Sequence, residues 1–463
     1  MQPSATLHAI EYAPDTAARL HRLASQPWFV FLDSCATSGR GGRYDIAAWA
    51  PQATLQTRGG KTLISTSDTS EISDADPFAL VAAHLGQEPR HPELPFSGGA
   101  IGLFGYDLGR HIECLPRRAR DDIGVADMAV GIYDRCVVVD HLRERAWYVE
   151  RGADAEQVAL DLARLELPRT LTPAAISSNF LVTSNVRPDI TFADYAAAFA
   201  RIERYIRGGD CYQVNYAQRF SATASGDPWD AYQRLRLLNG APFAAFMRLP
   251  DAAVLSSSPE RFIEVRGDVV ETRPIKGTRG RSRDSARDRA LAAELAASVK
   301  DRAENVMIVD LLRNDIGKTC ETGSVCVPHL FEVETYARVH HLVSTVRGRL
   351  RPGTGPLELL RGCFPGGSIT GAPKLRAMEI IEELEPTRRN VYCGSLGYVS
   401  HDGQMDTNIA IRTLLYTDGR LYCWAGGGIV VDSVLEDEYQ ESLDKAAAML
   451  SLFADAETLH LGR

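Results

Sequence analysis

Apolar and polar positions along this chain follow two different periods, and the periods mark out its helices and strands. Phe192, Tyr195, Phe199, Ile202 and Ile206 recur at the three-to-four-residue spacing that gathers side chains on one helix face. Thr191 and Asp194 open that run with the spacing of a capping box, and Gly208-Gly209-Asp210 closes it. "DRAENVMIVDLLRND" (301 to 315) and "EDEYQESLDKAAAML" (436 to 450) are helix-like too. "DRCVVVDH", "RFIEV" and "GSLGYVS" are strand-like. Two hairpins stand out: "ERFIEVRGDVVETRPI", joined at Arg266-Gly267-Asp268, and "NIAIRTLLYTDGRLYCWAGGGIVVDS" (408 to 433), turning at Asp418-Gly419. Strands linked by hairpins and interleaved with helices predict a large mixed α+β fold with antiparallel sheets, not a doubly wound one.

Composition narrows the function classes. The chain has 463 residues, 45% hydrophobic and 24% charged, enough to bury a large core. The Pro-, Ser- and Thr-rich stretch 166 to 191 is the candidate domain boundary. A net charge of -9 argues against a general nucleic-acid binder and suits small-molecule work. The start has no basic segment followed by an apolar run, and no stretch reaches bilayer length, so a cytoplasmic protein without a membrane is expected. Nine cysteines without a C-x-x-C pair indicate neither a disulfide framework nor a zinc site. The basic run "RGRSRDSARDR" (279 to 289) is interrupted by Asp284 and Asp288 and is expected to be a solvated loop.

The first candidate chemistry lies at the open end of the first hairpin. Counting back from its turn sets Glu260 opposite Pro274 or Ile275, next to Lys276. Pro274 cannot continue the ladder and Gly277 lets the backbone turn away, so the lysine is expected to leave the sheet and face a cavity. A surface ion pair is the alternative. A nucleophilic lysine must be neutral, which from a free pKa of about 10.4 requires burial or nearby cations. Arg273 and Arg279 are the cations nearest in sequence. Glu260 beside the amine could protonate a leaving oxygen.

Two further groupings follow from spacing. Glu438, Glu441 and Lys445 share one helix face, either as a solvated stripe or as part of a site. Glu304 adjoins the apolar run "VMIVDLL", so if the two helices meet, Glu304 and Glu441 make a two-carboxylate site suited to Mg²⁺. The second hairpin's register puts Arg412 near Ala425, beside Gly426, Gly427 and Gly428. A guanidinium and bare backbone amides would there form a carboxylate pocket, although a bulge or tight turn would also use three glycines. "PGGSITGAPK" (365 to 374) lacks Walker spacing and implies no nucleotide.

In order, "SSSPERF", "RPIKGTRGR", "DRAENVMIVDLLRND", "HHLVS", "PGGSITGAPK", "YCGSLGY", "AIRT", "AGGGIVVDS" and "EYQESLDKA" resemble the successive signatures of the chorismate-utilising enzymes. "FLDSCATSGRGGRYDI" and "PFSGGAIGLFGYDLGR" extend the resemblance over nearly the whole chain, toward the branch that aminates chorismate at C4 on the way to 4-aminobenzoate and folate. The resemblance implies sheets packed as a sandwich with helices outside. It also implies an N-terminal region over 1 to 170 and a chorismate-binding catalytic domain over 185 to 463, intertwined into one unit. Anthranilate synthases usually carry alanine at the position of Lys276, and isochorismate and salicylate synthases place a lysine base near Gln213. The chain therefore resembles neither in those positions.

By resemblance, Mg²⁺ held by Glu304 and Glu441 binds the ring carboxylate, while Arg412, Lys445 and Gly426 to Gly428 hold the substrate's carboxylates. Lys276 attacks C2 as Glu260 protonates the departing C4 hydroxyl. Ammonia then adds at C4 and expels the lysine. His341 and Thr370 hydrogen-bond near the ring, Tyr392 contacts a carboxylate, and Thr278 and Gln213 belong to the substrate site. The chain has no G-x-C-x-G glutaminase signature, so ammonia is expected from a separate glutamine amidotransferase subunit. With no lyase domain after residue 455, the expected product is 4-amino-4-deoxychorismate. Leu32 and Ser34 of "LDS", with Pro242 and Phe243 of "APFAAFM", correspond to a tryptophan pocket of anthranilate relatives. Anthranilate formation and a non-catalytic chorismate-binding subunit are the alternatives.

Overall fold

Two tight turns fix the register of the strands that carry the candidate residues. In the computed structural model, which describes residues 4–35, 42–167, 180–336 and 339–451, Arg266 pairs with Val269 around Gly267-Asp268. Gly267 adopts φ +66°, which glycine reaches without steric cost. Thr417 pairs with Arg420 around Asp418 and Gly419, both at positive φ, the geometry that follows strand twist in a two-residue hairpin. The helix Phe192–Arg207 begins at the expected capping box: Thr191 accepts from the Asp194 N–H, and Asp194 reaches back to the Thr191 N–H. Residues 168–179 of the expected boundary and 36–41 of the N-terminal signature lie outside the described residues.

Among the described residues, the strands assemble into a 13-stranded and a 12-stranded sheet, with every strand pairing antiparallel. Strands from before and after the expected boundary share each sheet. In the larger one, Val30–Asp33 pairs with Phe243–Arg248, and in the smaller one Gly99–Phe104 pairs with Ser395–Ser400. Alternating side chains of both sheets, such as Val30, Met247 and Val254 against Leu103, Val130 and Phe262, form one apolar layer between them. Helices Pro228–Leu238 and Leu435–Leu450 cover the outer face of the larger sheet through Trp229, Tyr232, Leu443 and Met449. The chain is thus a mixed α+β sandwich with helices outside.

The basic run differs from expectation. Asp284 accepts from the Ala286 and Arg287 amides and starts a helix, Ser285–Ala297, inside the stretch read as a loop. All nine cysteines are free thiols. Among the described residues, no helix is long and apolar enough to cross a membrane.

Candidate active site

Where the two hairpins and two helices converge, a cavity of about 670 Å³ opens. Its wall includes Glu260, Lys276, Thr278, Glu304, His341, Tyr392, Arg412, Gly426, Gly427, Gly428, Glu441 and Lys445, so twelve residues distant in sequence meet at one place. Thr370 and Gln213 do not line it. Thr370 is fully buried behind Ser368 and Ile369, its hydroxyl donating to the Gly366 carbonyl at 3.0 Å.

Lys276 does not leave the sheet as expected. The segment 269 to 280 keeps running along Val339–Arg349: Thr272 faces Val346, Ile275 faces Val343 and Lys276 faces Leu342. The register slips only after Lys276, at Gly277, whose φ of +77° makes a bulge. A side chain at Gly277 would meet Leu295 Cδ1 at 2.8 Å and Asp301 Cγ at 2.9 Å. The bulge, rather than an exit from the ladder, aims the lysine. Arg273 and Arg279 do not act as free cations beside it: Arg273 pairs with Glu334, and Arg279 with Glu294 and Asp301.

Glu260 sits at the start of the Arg261–Arg266 strand, with its carbonyl accepting from the Ile409 amide. It is buried, and burial pushes its carboxyl up to about 7, against the opposing pull of Lys276 and of a hydrogen bond from Ser368. A carboxylic acid still protonated near neutrality can donate a proton. His341 is pushed down to about 4, by burial first and then by Arg412, so it is a neutral imidazole. Its Nδ1 lies 2.9 Å from Thr278 Oγ1, and its ring meets Tyr336 edge-on.

The glycine run is neither a bulge nor a turn. It continues the regular strand Arg420–Ile429, and it is glycine because neighbours press against it. A Cβ at Gly426 would lie 2.1 Å from the Tyr216 carbonyl, at Gly427 2.9 Å from Glu438 Oε2, and at Gly428 2.8 Å from Gln213 Nε2. Pairing with Thr413–Thr417 stops at Leu414, so this run has a sheet partner only on the Gln213–Ser225 side. Its other edge opens toward Arg412. Among the described residues no carboxylate pairs with Arg412, and the surrounding protein lowers the guanidinium's pKa from arginine's ordinary value. A cation left without a partner inside a cavity fits an anionic ligand.

Glu304, on helix Val299–Gly317, faces Glu438 and Glu441 on Leu435–Leu450. Burial raises the Glu304 carboxyl; Lys276 and Lys300 lower it, and Glu441 raises it further. Burial raises Glu438 as well, a Ser433 hydrogen bond lowers it, and Glu441 again adds to the rise. A divalent cation would relieve the repulsion by which Glu441 raises Glu304 and Glu438, and the all-oxygen donor set fits Mg²⁺. Lys445 pairs with Glu441 at 2.6 Å and donates to the Gly426 carbonyl at 2.9 Å. Among the described residues, no three His, Cys, Asp or Glu side chains close on one point as a ready metal site.

Sequence reasoning missed Glu438, Ser368 and Lys300 as cavity residues. Glu438 belonged to the noticed stripe and Ser368 to the noticed "PGGSITGAPK", whereas nothing local marked Lys300. A second cavity, of about 720 Å³, is lined by Leu32, Pro242 and Phe243 together with Arg43, Arg261, Arg266, Glu264 and Asp406. Ser34 is not in its wall: its hydroxyl and amide both donate to Asp45, at 2.7 and 2.8 Å.

Residues 29–451 match the family described as chorismate binding enzyme. Aminodeoxychorismate synthase component 1 of Klebsiella aerogenes is 50% identical over 452 residues, 96% of this chain and 98% of that protein. The component 1 of Escherichia coli K12 is 49% identical over 433 residues, 93% of this chain and 94% of that one. Among solved structures, anthranilate synthase component I from Streptococcus pneumoniae aligns with a TM-score of 0.78 at 34% identity, covering 89% of this chain and 93% of that chain.

Proposed function

The chain belongs to the chorismate binding enzyme family and is a chorismate-utilising enzyme, and on that premise we propose that it replaces the C4 hydroxyl of chorismate with an amino group through Lys276. The observation that carries this reading is the pairing, in one cavity, of a lysine with a buried glutamic acid held near neutrality.

Arg412, the open edge of Gly426 to Gly428 and Lys445 take the substrate's carboxylates, with Tyr392, His341 and Thr278 lining the ring site. Thr370 and Gln213 support the wall from behind. Lys276 Nζ gives its lone pair to C2; the two ring double bonds each shift one bond, and the C4–O bond breaks. Glu260 passes its proton to the departing oxygen, which leaves as water. Ammonia then adds at C4, the double bonds shift back, and the C2–N bond returns its electron pair to Lys276. The Glu260 carboxylate recovers a proton from the new ammonium group. Mg²⁺ held by Glu304 and Glu441 would supply positive charge for the ring carboxylate.

The component 1 relatives imply a second component. We take it to be a glutamine amidotransferase that delivers ammonia, and the reaction to serve 4-aminobenzoate and folate formation in the cytoplasm. The Leu32, Pro242 and Phe243 cavity is offered as a tryptophan pocket; Ser34, bonded to Asp45, stands outside its wall.

The test is incubation of the purified chain with chorismate, Mg²⁺ and excess ammonium near neutral pH, with products identified by mass and chromatography. The expected product is 4-amino-4-deoxychorismate, lost in Lys276→Ala. Anthranilate from the wild type would overturn the reading.

A further inference from the structure

One polar group in the cavity wall has no part in the mechanism above. Asn215 lies on the Gln213–Ser225 strand opposite Gly428 and lines the cavity with Lys276 and Glu260. The residue is 8% exposed, and among the described residues its Oδ1, itself buried, has no hydrogen-bond partner. Leaving an acceptor buried and unmet is costly, so such an atom points to a donor that arrives from outside.

Hydrogen bonds hold the main chain of Asn215 on both sides. The Asn215 amide donates to the Thr370 carbonyl at 2.8 Å, and the Asn215 carbonyl accepts from Arg389 at 2.7 Å. Arg389 is itself fixed by Glu385 at 2.6 Å. These bonds fix the main chain at Asn215, so its side chain leaves the strand from a set point in the cavity wall.

The nature of the visitor follows from what the cavity already supplies. The substrate's carboxylates need donors, which Arg412, Lys445 and the glycine edge provide, and a carboxamide oxygen offers them nothing. The remaining reactant is ammonia, which brings three N–H donors and one lone pair. Bound through an N–H to a neutral acceptor, it keeps its lone pair free to attack, whereas a carboxylate there would favour the unreactive ammonium ion. We propose that the Asn215 carboxamide oxygen binds an N–H of the incoming ammonia and so holds the nucleophile for C4.

The inference rests on the C4-amination reading. The test uses the full chain with ammonium as the nitrogen source and measures KM separately for ammonium and for chorismate in the wild type, Asn215→Leu and Asn215→Asp. Leucine removes the acceptor and should raise the ammonium KM by about five- to tenfold, leaving the chorismate KM unchanged. Aspartate is isosteric and keeps an acceptor oxygen, but its carboxylate favours the unreactive ammonium ion, so its ammonium KM should stay within about twofold of wild type while its turnover falls. An unchanged ammonium KM in Asn215→Leu, a chorismate KM that moves in its place, or an aspartate variant that behaves like leucine would each overturn the proposal. If the wild type forms no 4-amino-4-deoxychorismate from ammonium, the reading itself fails. If it does and only the Asn215 results disagree, the nucleophile site alone is refuted.

Discussion

Glu260→Gln should stabilise the fold while destroying the activity, and both effects come from the same burial. In the folded chain the Glu260 carboxyl is pushed from its ordinary 4.5 up to about 7. A carboxyl raised on folding binds its proton more tightly in the native state than in the unfolded one. Stability is therefore fully present below pH 4.5 and is lost as pH rises toward 7. At 1.36 kcal/mol per pKa unit, the loss is about 3 kcal/mol by pH 8. Glutamine keeps the shape without the charge, so the variant should be as stable as wild type near pH 4.5 and more stable by about 3 kcal/mol at pH 8. Urea unfolding of both proteins at pH 5 and pH 8 gives the difference directly, because titrations elsewhere cancel in the comparison. The variant's turnover should fall about 10² to 10⁴-fold, the usual worth of a positioned proton donor. Equal stability at pH 8, or a variant less stable there, would refute the claim that Glu260 is a buried acid, whatever happened to the rate.

Other consequences can be checked separately. Wild-type turnover with saturating ammonium should decline above about pH 7 as Glu260 ionises, and a rate still rising well beyond that pH would exclude it as the acid. Arg412→Ala removes the unpaired guanidinium and should raise the chorismate KM about tenfold to a hundredfold in steady-state assays. Gly427→Ala puts a methyl group 2.9 Å from Glu438 Oε2, so the Mg²⁺ concentration for half-maximal rate should rise about tenfold, with the fold's circular dichroism intact. Thr191→Ala removes a capping box distant from the cavity and should cost about 1 kcal/mol in denaturant titrations without changing KM.

What the sequence made legible was what local rules control. Gly267, Asp418-Gly419 and Thr191 with Asp194 each act within a few residues, so both hairpins and the capped helix are found where spacing placed them. The hairpin registers, carried a few residues beyond their turns, also brought Glu260 toward Lys276 and Arg412 toward Ala425, and all four line one cavity. Other features depended on partners far along the chain. Whether Arg273 and Arg279 were free cations was decided by Glu334, Glu294 and Asp301, which no local pattern announces. Glu438 looked like one member of a charged stripe until Gly427, on a strand, was seen to press against it. Pro274 predicts an end of pairing that residues 275 to 280 do not obey, because a proline interrupts the ladder only at its own position. The chain resumes with the same partner strand at Ile275, three residues after Thr272, and a glycine bulge redirects Lys276. Asp284 carried a readable helix-start signal in the basic run that was outweighed by the density of arginines.

Amination through Lys276 requires a covalent bond between its nitrogen and the substrate ring. That bond is tested most directly by mixing the chain with chorismate and Mg²⁺ without ammonia, quenching with acid, and mapping peptides by mass spectrometry. A chorismate-minus-water adduct on Lys276 is expected, which disappears when ammonium is added as 4-amino-4-deoxychorismate accumulates. An unmodified Lys276 under these conditions, with the Lys276→Ala variant still aminating chorismate at the wild-type rate, would contradict that expectation.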